Sequence, residues 1–292
     1  MPFSSMDDLV NEITSGKFNR ADWNKLTGTN AYTAGRWYDF SGLAGTPVAN
    51  AFAGTALAWR TCDELTGNGT QIFGLPHGGN VSPDTKHVLN VSAITSVATG
   101  VPAQLMLCDL QGYWPGITNN SATAQTLTGT PSLRYTNGAG CRLFWVQTAG
   151  AGATAQNIAL SYSNTVPTSG RALPVTVAMT ASALSTHISH SGTAANNYGP
   201  FLPLASGDTG VSTVATVTFS AANTGTGALC LARPLLTLPL TTVSVAAERD
   251  LLNQLPSLPR VMDGACLTWL YFAGAATAQS TNFYGAVEVG WG

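Results

Sequence analysis

The chain has 292 residues, of which only 12 are Lys or Arg and 14 are Asp or Glu, for a formal net charge of −2. That length buries a sizeable core in one or two domains, and a hydrophobic fraction of 45% excludes intrinsic disorder, which needs low hydrophobicity. A charged fraction of 9%, roughly a third of that in an ordinary soluble domain, leaves no basic stripe for a nucleic-acid partner and little of the repulsion that keeps proteins monomeric.

Residues 4–26 are the clearest helical material. Ser5 can cap, with Asp8 three residues on, and Met6, Leu9, Val10 and Ile13 recur at helical spacing until Gly16. A second short helix is expected over Asn19–Leu26, with Phe18, Trp23 and Leu26 apolar, ended by the Thr27–Asn30 run. Nine of the charges lie in the first 40 residues. The expected organisation is an N-terminal helical arm over residues 1–30, packed on a neighbour or on its own domain. Its candidate contact residues are Met6, Leu9, Val10, Ile13 and Trp23. The N-terminus has neither a basic start nor an apolar stretch of signal-peptide kind.

From Ala31 the texture changes to short apolar or alternating runs separated by Gly, Pro, Asn, Ser and Thr. Strand-sized runs fall at 36–40, 56–60, 104–110, 142–147, 158–162, 211–219, 266–272 and 286–289. Asn137-Gly138 between flanking runs is a hairpin signal, and Asn68-Gly69 is similar. Residues 246–255 form a short helix or charged turn closed by Pro256 and Pro259. The Ala/Gly/Thr-rich stretch 148–156 is a surface loop. Uncharged stretches are long, but Pro, Gly, Ser, Thr and Asn interrupt them, so no segment reads as a membrane span. The expectation is an all-β domain over 31–292, a jelly-roll-like sandwich or barrel.

Candidate chemistry is thin. The five cysteines (62, 108, 141, 230, 266) are odd in number and widely spaced, as for small buried residues in a reducing compartment. His187 and His190, three apart, face opposite ways on a strand, which is wrong for a shared metal. The densest polar segment, Leu75–His87, holds two histidines, Asp84 and Lys86 beside Gly78-Gly79. It could form an acid–base cluster, but it lacks phosphate-loop order and reads as a turn-rich structural loop. No GxSxG elbow occurs, acidic pairs are few, and the tryptophans read as core rather than as a sugar platform. The chain is expected to be no enzyme and to carry no cofactor or metal.

Four blocks carry a resemblance: Asn19–Leu26, Pro76-His-Gly-Gly-Asn-Val-Ser-Pro-Asp-Thr-Lys-His87, Arg134-Tyr-Thr-Asn-Gly-Ala-Gly140 and the run from Tyr198 to Val211. They resemble blocks in virion structural proteins of tailed bacteriophages. The resemblance implies a β-rich capsid decoration (cement) or minor head protein that binds the phage major capsid protein, located in the virion and assembled in the host bacterial cytoplasm. It brings no catalytic residue. Self-association as a trimer is expected, with no nucleic acid and no membrane. The alternatives are the major capsid shell protein, which the lack of a long spine helix disfavours, and a tail or fibre module that binds a receptor or glycan, favoured only by the tryptophans.

Overall fold

The computed structural model describes residues 3–166, 168–181, 186–191, 199–254 and 258–292. In chain order the elements are α1 (Met6–Thr14), β1 (Phe18–Leu26), β2 (Arg36–Asp39), β3 (Ala44–Thr46), β4 (Arg60–Thr61), β5 (Lys86–Thr95), β6 (Ala103–Thr118), β7 (Gln125–Thr126), β8 (Arg142–Ala149) and β9 (Gln156–Asn164). Then follow β10 (Arg171–Ala172), β11 (Val177–Met179), β12 (Val211–Phe219), β13 (Thr226–Leu240), β14 (Ala247–Asp250), α2 (Leu251–Gln254), β15 (Arg260–Val261), β16 (Leu267–Ala273) and β17 (Asn282–Trp291). The chain is all-β as expected, and every pair of these strands is antiparallel.

Three sheets share one central layer. The middle sheet runs β2-β16-β6-β13-β8, a second runs β14-β5-β17-β1-β3, and a third runs β10-β9-β12-β7. Period-2 alternation sorts the side chains among three cores. Along β13, Leu236, Leu238 and Leu240 join Trp23, Val91 and Val287 of the second sheet. Leu229 and Leu231 of the same strand meet Leu160, Val217 and Phe219 of the third. Ala228, Cys230 and Ala232 point the other way, into a core of Trp37, Cys108, Tyr113, Phe144 and Val146. Small residues there make room for aromatic rings. Cys62, Cys108, Cys230 and Cys266 all lie in this core and Cys141 in the one against the third sheet, and all five are buried and free.

Residues 186–191 join the two open edges of the middle sheet. On one side Asp39 N–H donates to the Thr186 carbonyl (2.8 Å) and Ile188 N–H to the Trp37 carbonyl (3.1 Å). On the other Thr186 N–H donates to the Gln147 carbonyl (2.8 Å), and Gln147 N–H to that of His187 (2.9 Å). The sheet closes into a ring, which removes two free edges.

The structure corrects four expectations. Residues 19–26 form β1, not a helix. Ala21, Trp23 and Lys25 alternate inward, and β1 pairs with β17 from Phe18↔Gly290 to Leu26↔Asn282. Tertiary pairing overrides an ambiguous local pattern. Residues 247–250 are strand β14, and only Leu251–Gln254 are helical; Leu255 and Pro256 lie outside the described residues. Asn137-Gly138 adopts left-handed angles (φ +51° and +72°), as such a dipeptide favours, but within a one-turn 3-10 helix rather than a hairpin. A Cβ at position 138 would lie 1.8 Å from the Val211 carbonyl. Finally, Ala56–Trp59 is irregular, and only Arg60–Thr61 pair with β6. The loop expected over 148–156 is present but shorter, at 150–155, since Thr148 and Ala149 end β8 and the buried Gln156 begins β9.

Candidate interaction surface

Most of the chain's few charges are satisfied by other parts of the chain. Lys17 holds Glu12 and Asp84 at 2.9 Å each, and Arg20 holds Asp22 and Glu288 at 2.9 Å. Asp208 accepts from Tyr162 Oη (2.6 Å), Asn164 Nδ2 (2.7 Å) and Arg171 Nε (3.0 Å); these bonds outweigh desolvation and hold its carboxyl down at about 2. Arg134 grips the fully buried Asp109 with Nε and Nη2 and also donates to the carbonyls of Cys62 and Leu110. Lys25 lies in the core with its ammonium on the carbonyls of Leu43 and Pro47, and burial pushes it down to about 8.

The polar segment 75–87 contributes to a second buried chain. Lys86 Nζ donates to His77 Nδ1 (2.7 Å) and to the Gly79 carbonyl. His77 Nε2 lies 2.8 Å from the Ala265 carbonyl and 3.1 Å from Glu64 Oε2, so the neutral ring carries its hydrogen there. Burial, then the Lys86 charge, holds the imidazole below its usual range. Glu64 also accepts from the N–H groups of His77 (2.6 Å) and Gly79 (3.0 Å). Glu64, His77 and Lys86 are all buried. The cluster has the donor chain of an acid–base relay, but its ring nitrogens and ammonium are taken up by protein. It pins the 64, 77–79 and 265 loops to β5. Gly78 and Gly79 supply left-handed angles (φ +93° and +70°), as the turn-rich reading expects.

His187 and His190 lie in the ring-closing segment, both buried. His190 Nε2 accepts from Trp145 N–H (3.2 Å), which places its hydrogen on Nδ1. His187 rests on Tyr38 with centroids 5.2 Å apart, and neither of its ring nitrogens has a partner among the described residues. Burial pushes both imidazoles down to about 3, with Arg36 and His190 adding to the effect on His187.

The arm residues divide. Ser5 caps α1 by accepting from Asp8 N–H (3.1 Å), and the Asp8 carboxylate takes bonds from Ser4 N and Oγ. Leu9 turns inward, while Met6 (58%) and Val10 (54%), one turn apart, face solvent and Ile13 is half-buried. Trp23 is not with them; it lies in the core with its ring 5.4 Å from that of Trp269. Leu65, Ile72, Val48 and Val245 add further exposed apolar side chains elsewhere. Sequence reasoning also missed a group of arginines, Arg134, Arg233, Arg249 and Arg260. Arg233 on β13 is brought near Arg249 and Arg260 only because β14 and β15 pair with β5 of the neighbouring sheet, which no local signal announces.

No family model matches the chain, and no curated protein matches it. Solved structures that align with it include the infectious bursal disease virus VP2 subviral particle, at 9% identity over 94% of this chain and 80% of that one, with a TM-score of 0.17. T=1 particles derived from the same virus align at 10% identity over 94% and 77%, with a TM-score of 0.17. Overlap at that level carries no argument about fold or role.

Proposed function

We propose that the chain is a structural subunit of a virus particle, and in its finer form a capsid decoration protein of a tailed phage. In this reading it self-associates, as a trimer, and binds the major capsid protein. The observation that supports it is the treatment of charge. A chain with few ionisable groups ties most of them up in internal ion pairs or hydrogen bonds, so much of the remaining surface is hydroxyl, amide and scattered apolar side chains such as Met6, Val10, Leu65 and Ile72. Such a surface offers little repulsion between copies and suits association through apolar and main-chain contacts. The closed middle sheet, buttressed on both sides, suits a rigid building block.

Quantitative mass spectrometry of purified particles tests the reading. A copy number close to that of the shell protein supports decoration. A handful of copies per particle, or none, contradicts it.

A further inference from the structure

The second half of β13 has a neighbour on only one side. β6 pairs with it from Thr226 to Leu240, but β8 pairs with it only from Thr226 to Ala232. Beyond that point lie Pro234 and Pro239, residues that a two-sided strand would not accept because they cannot donate to a second ladder. Leu235 sits in a bulge between Pro234↔Cys108 and Leu236↔Leu107.

Two adjoining hollows run along this stretch, of about 530 and 230 Å³, and both are lined by Pro234 and Leu235. The first is walled by Arg134, Tyr135, Arg233, Arg260 and Met262, and the second by Met106, Thr237 and Arg249. Arg134 is neutralised by Asp109. The other three arginines have no carboxylate within salt-bridge distance among the described residues. Two of them are nevertheless held in place. Arg233 lies 4.4 Å over the Tyr135 ring and donates to the Ala139 carbonyl, where Gly140 leaves room for it. Arg249 donates to the Thr237 carbonyl (2.6 Å). With only 12 Lys and Arg in the whole chain, three guanidiniums without a carboxylate partner along one half-open strand are a concentrated positive site.

We propose that this groove binds an extended acidic peptide segment of a partner protein, laid along β13. Its carboxylates would meet Arg233, Arg249 and Arg260, and its apolar residues would rest on Pro234, Leu235, Pro259 and Met262. Charge complementarity selects the occupant, and the fork of each guanidinium suits a carboxylate. The proposal goes beyond the assembly reading and does not depend on it, since a chain that never self-associates would still bind such a segment. Contacts made through these guanidiniums would be salt-sensitive, unlike those made by apolar burial.

The test uses the intact protein and two labelled eight-residue peptides, one alternating Glu and Val, the other Gln and Val, followed by fluorescence anisotropy. The Glu-Val peptide is expected to bind at least about tenfold more tightly, a difference of about 1.4 kcal/mol. The preference should weaken as salt is raised. It should vanish in the R233Q/R249Q/R260Q variant, whose unchanged circular dichroism and urea midpoint would show an intact fold. Equal binding of the two peptides overturns the proposal, as does a preference that survives in the triple variant. Full displacement of the Glu-Val peptide by an equimolar amount of inorganic phosphate would make the groove a small-anion pocket instead. Loss of self-association in the triple variant would make it a self-interface.

Discussion

Replacing His187 by Phe should make the protein more stable and less sensitive to acid. The imidazole is buried in the ring-closing segment, packed at a tilt against Tyr38, with both nitrogens unpartnered among the described residues. Its folded pKa is about 3 against an ordinary 6.5. Above pH 6.5 both folded and unfolded forms are neutral and the shift costs nothing. As pH falls below 6.5 the unfolded chain takes up a proton that the folded one refuses. Stability then falls with pH at about 1.4 kcal/mol per unit for each such group, until the folded pKa is reached. Between pH 7 and about pH 4.5 this amounts to about 2–3 kcal/mol for His187 and as much again for His190. His77 and His87, also held low by burial, act in the same direction. H187F keeps an aromatic ring against Tyr38, removes an unsatisfied donor and acceptor worth about 1–3 kcal/mol, and deletes one titrating group. Urea unfolding at the two pH values should show H187F more stable at pH 7 and losing about 2–3 kcal/mol less than wild type on acidification. Equal losses in the two proteins would refute the reasoning, because His187 could not then be a neutral group enclosed by the closed sheet.

Arg134→Met should cost about 3–5 kcal/mol in urea unfolding, because it strands the buried Asp109 carboxylate, which is also bound by Cys266 N–H. Trp23→Ala should cost about 3–5 kcal/mol, since its ring fills the core beside Trp269. Met6→Ser and Val10→Ser, on the solvent side of α1, should change stability by less than about 0.5 kcal/mol and weaken self-association. Thiol titration of the native protein should find few reactive groups and five after denaturation, because burial pushes the thiols of Cys62, Cys108, Cys141 and Cys230 up, away from the reactive thiolate.

The all-β class was legible because strand-length runs bounded by turn residues are a local property. The run 211–219 coincides with β12, and the capped stripe of α1 was equally local. What was not legible depended on partners far along the chain. Phe18–Leu26 reads equally well as a short helix until β17 is laid beside it. β13 was hidden by Pro234 and Pro239, which argue against a strand unless one edge is known to be open. Among the candidate contact residues, helical spacing grouped Met6, Leu9, Val10 and Ile13 correctly on one helix. Only tertiary packing separates the buried Leu9 and Trp23 from the exposed Met6 and Val10. The ring-closing segment around His187 gave no local sign of its place between β2 and β8.

The most direct measurement of the central claim is sedimentation velocity of the purified chain over a range of concentration and of salt. If a nearly neutral surface drives assembly through apolar and main-chain contacts, a discrete oligomer should form and persist almost unchanged from low to high salt, because screening acts on ionic terms and leaves apolar burial intact. A monomer at every concentration, or an oligomer that dissolves as salt is raised, would contradict it.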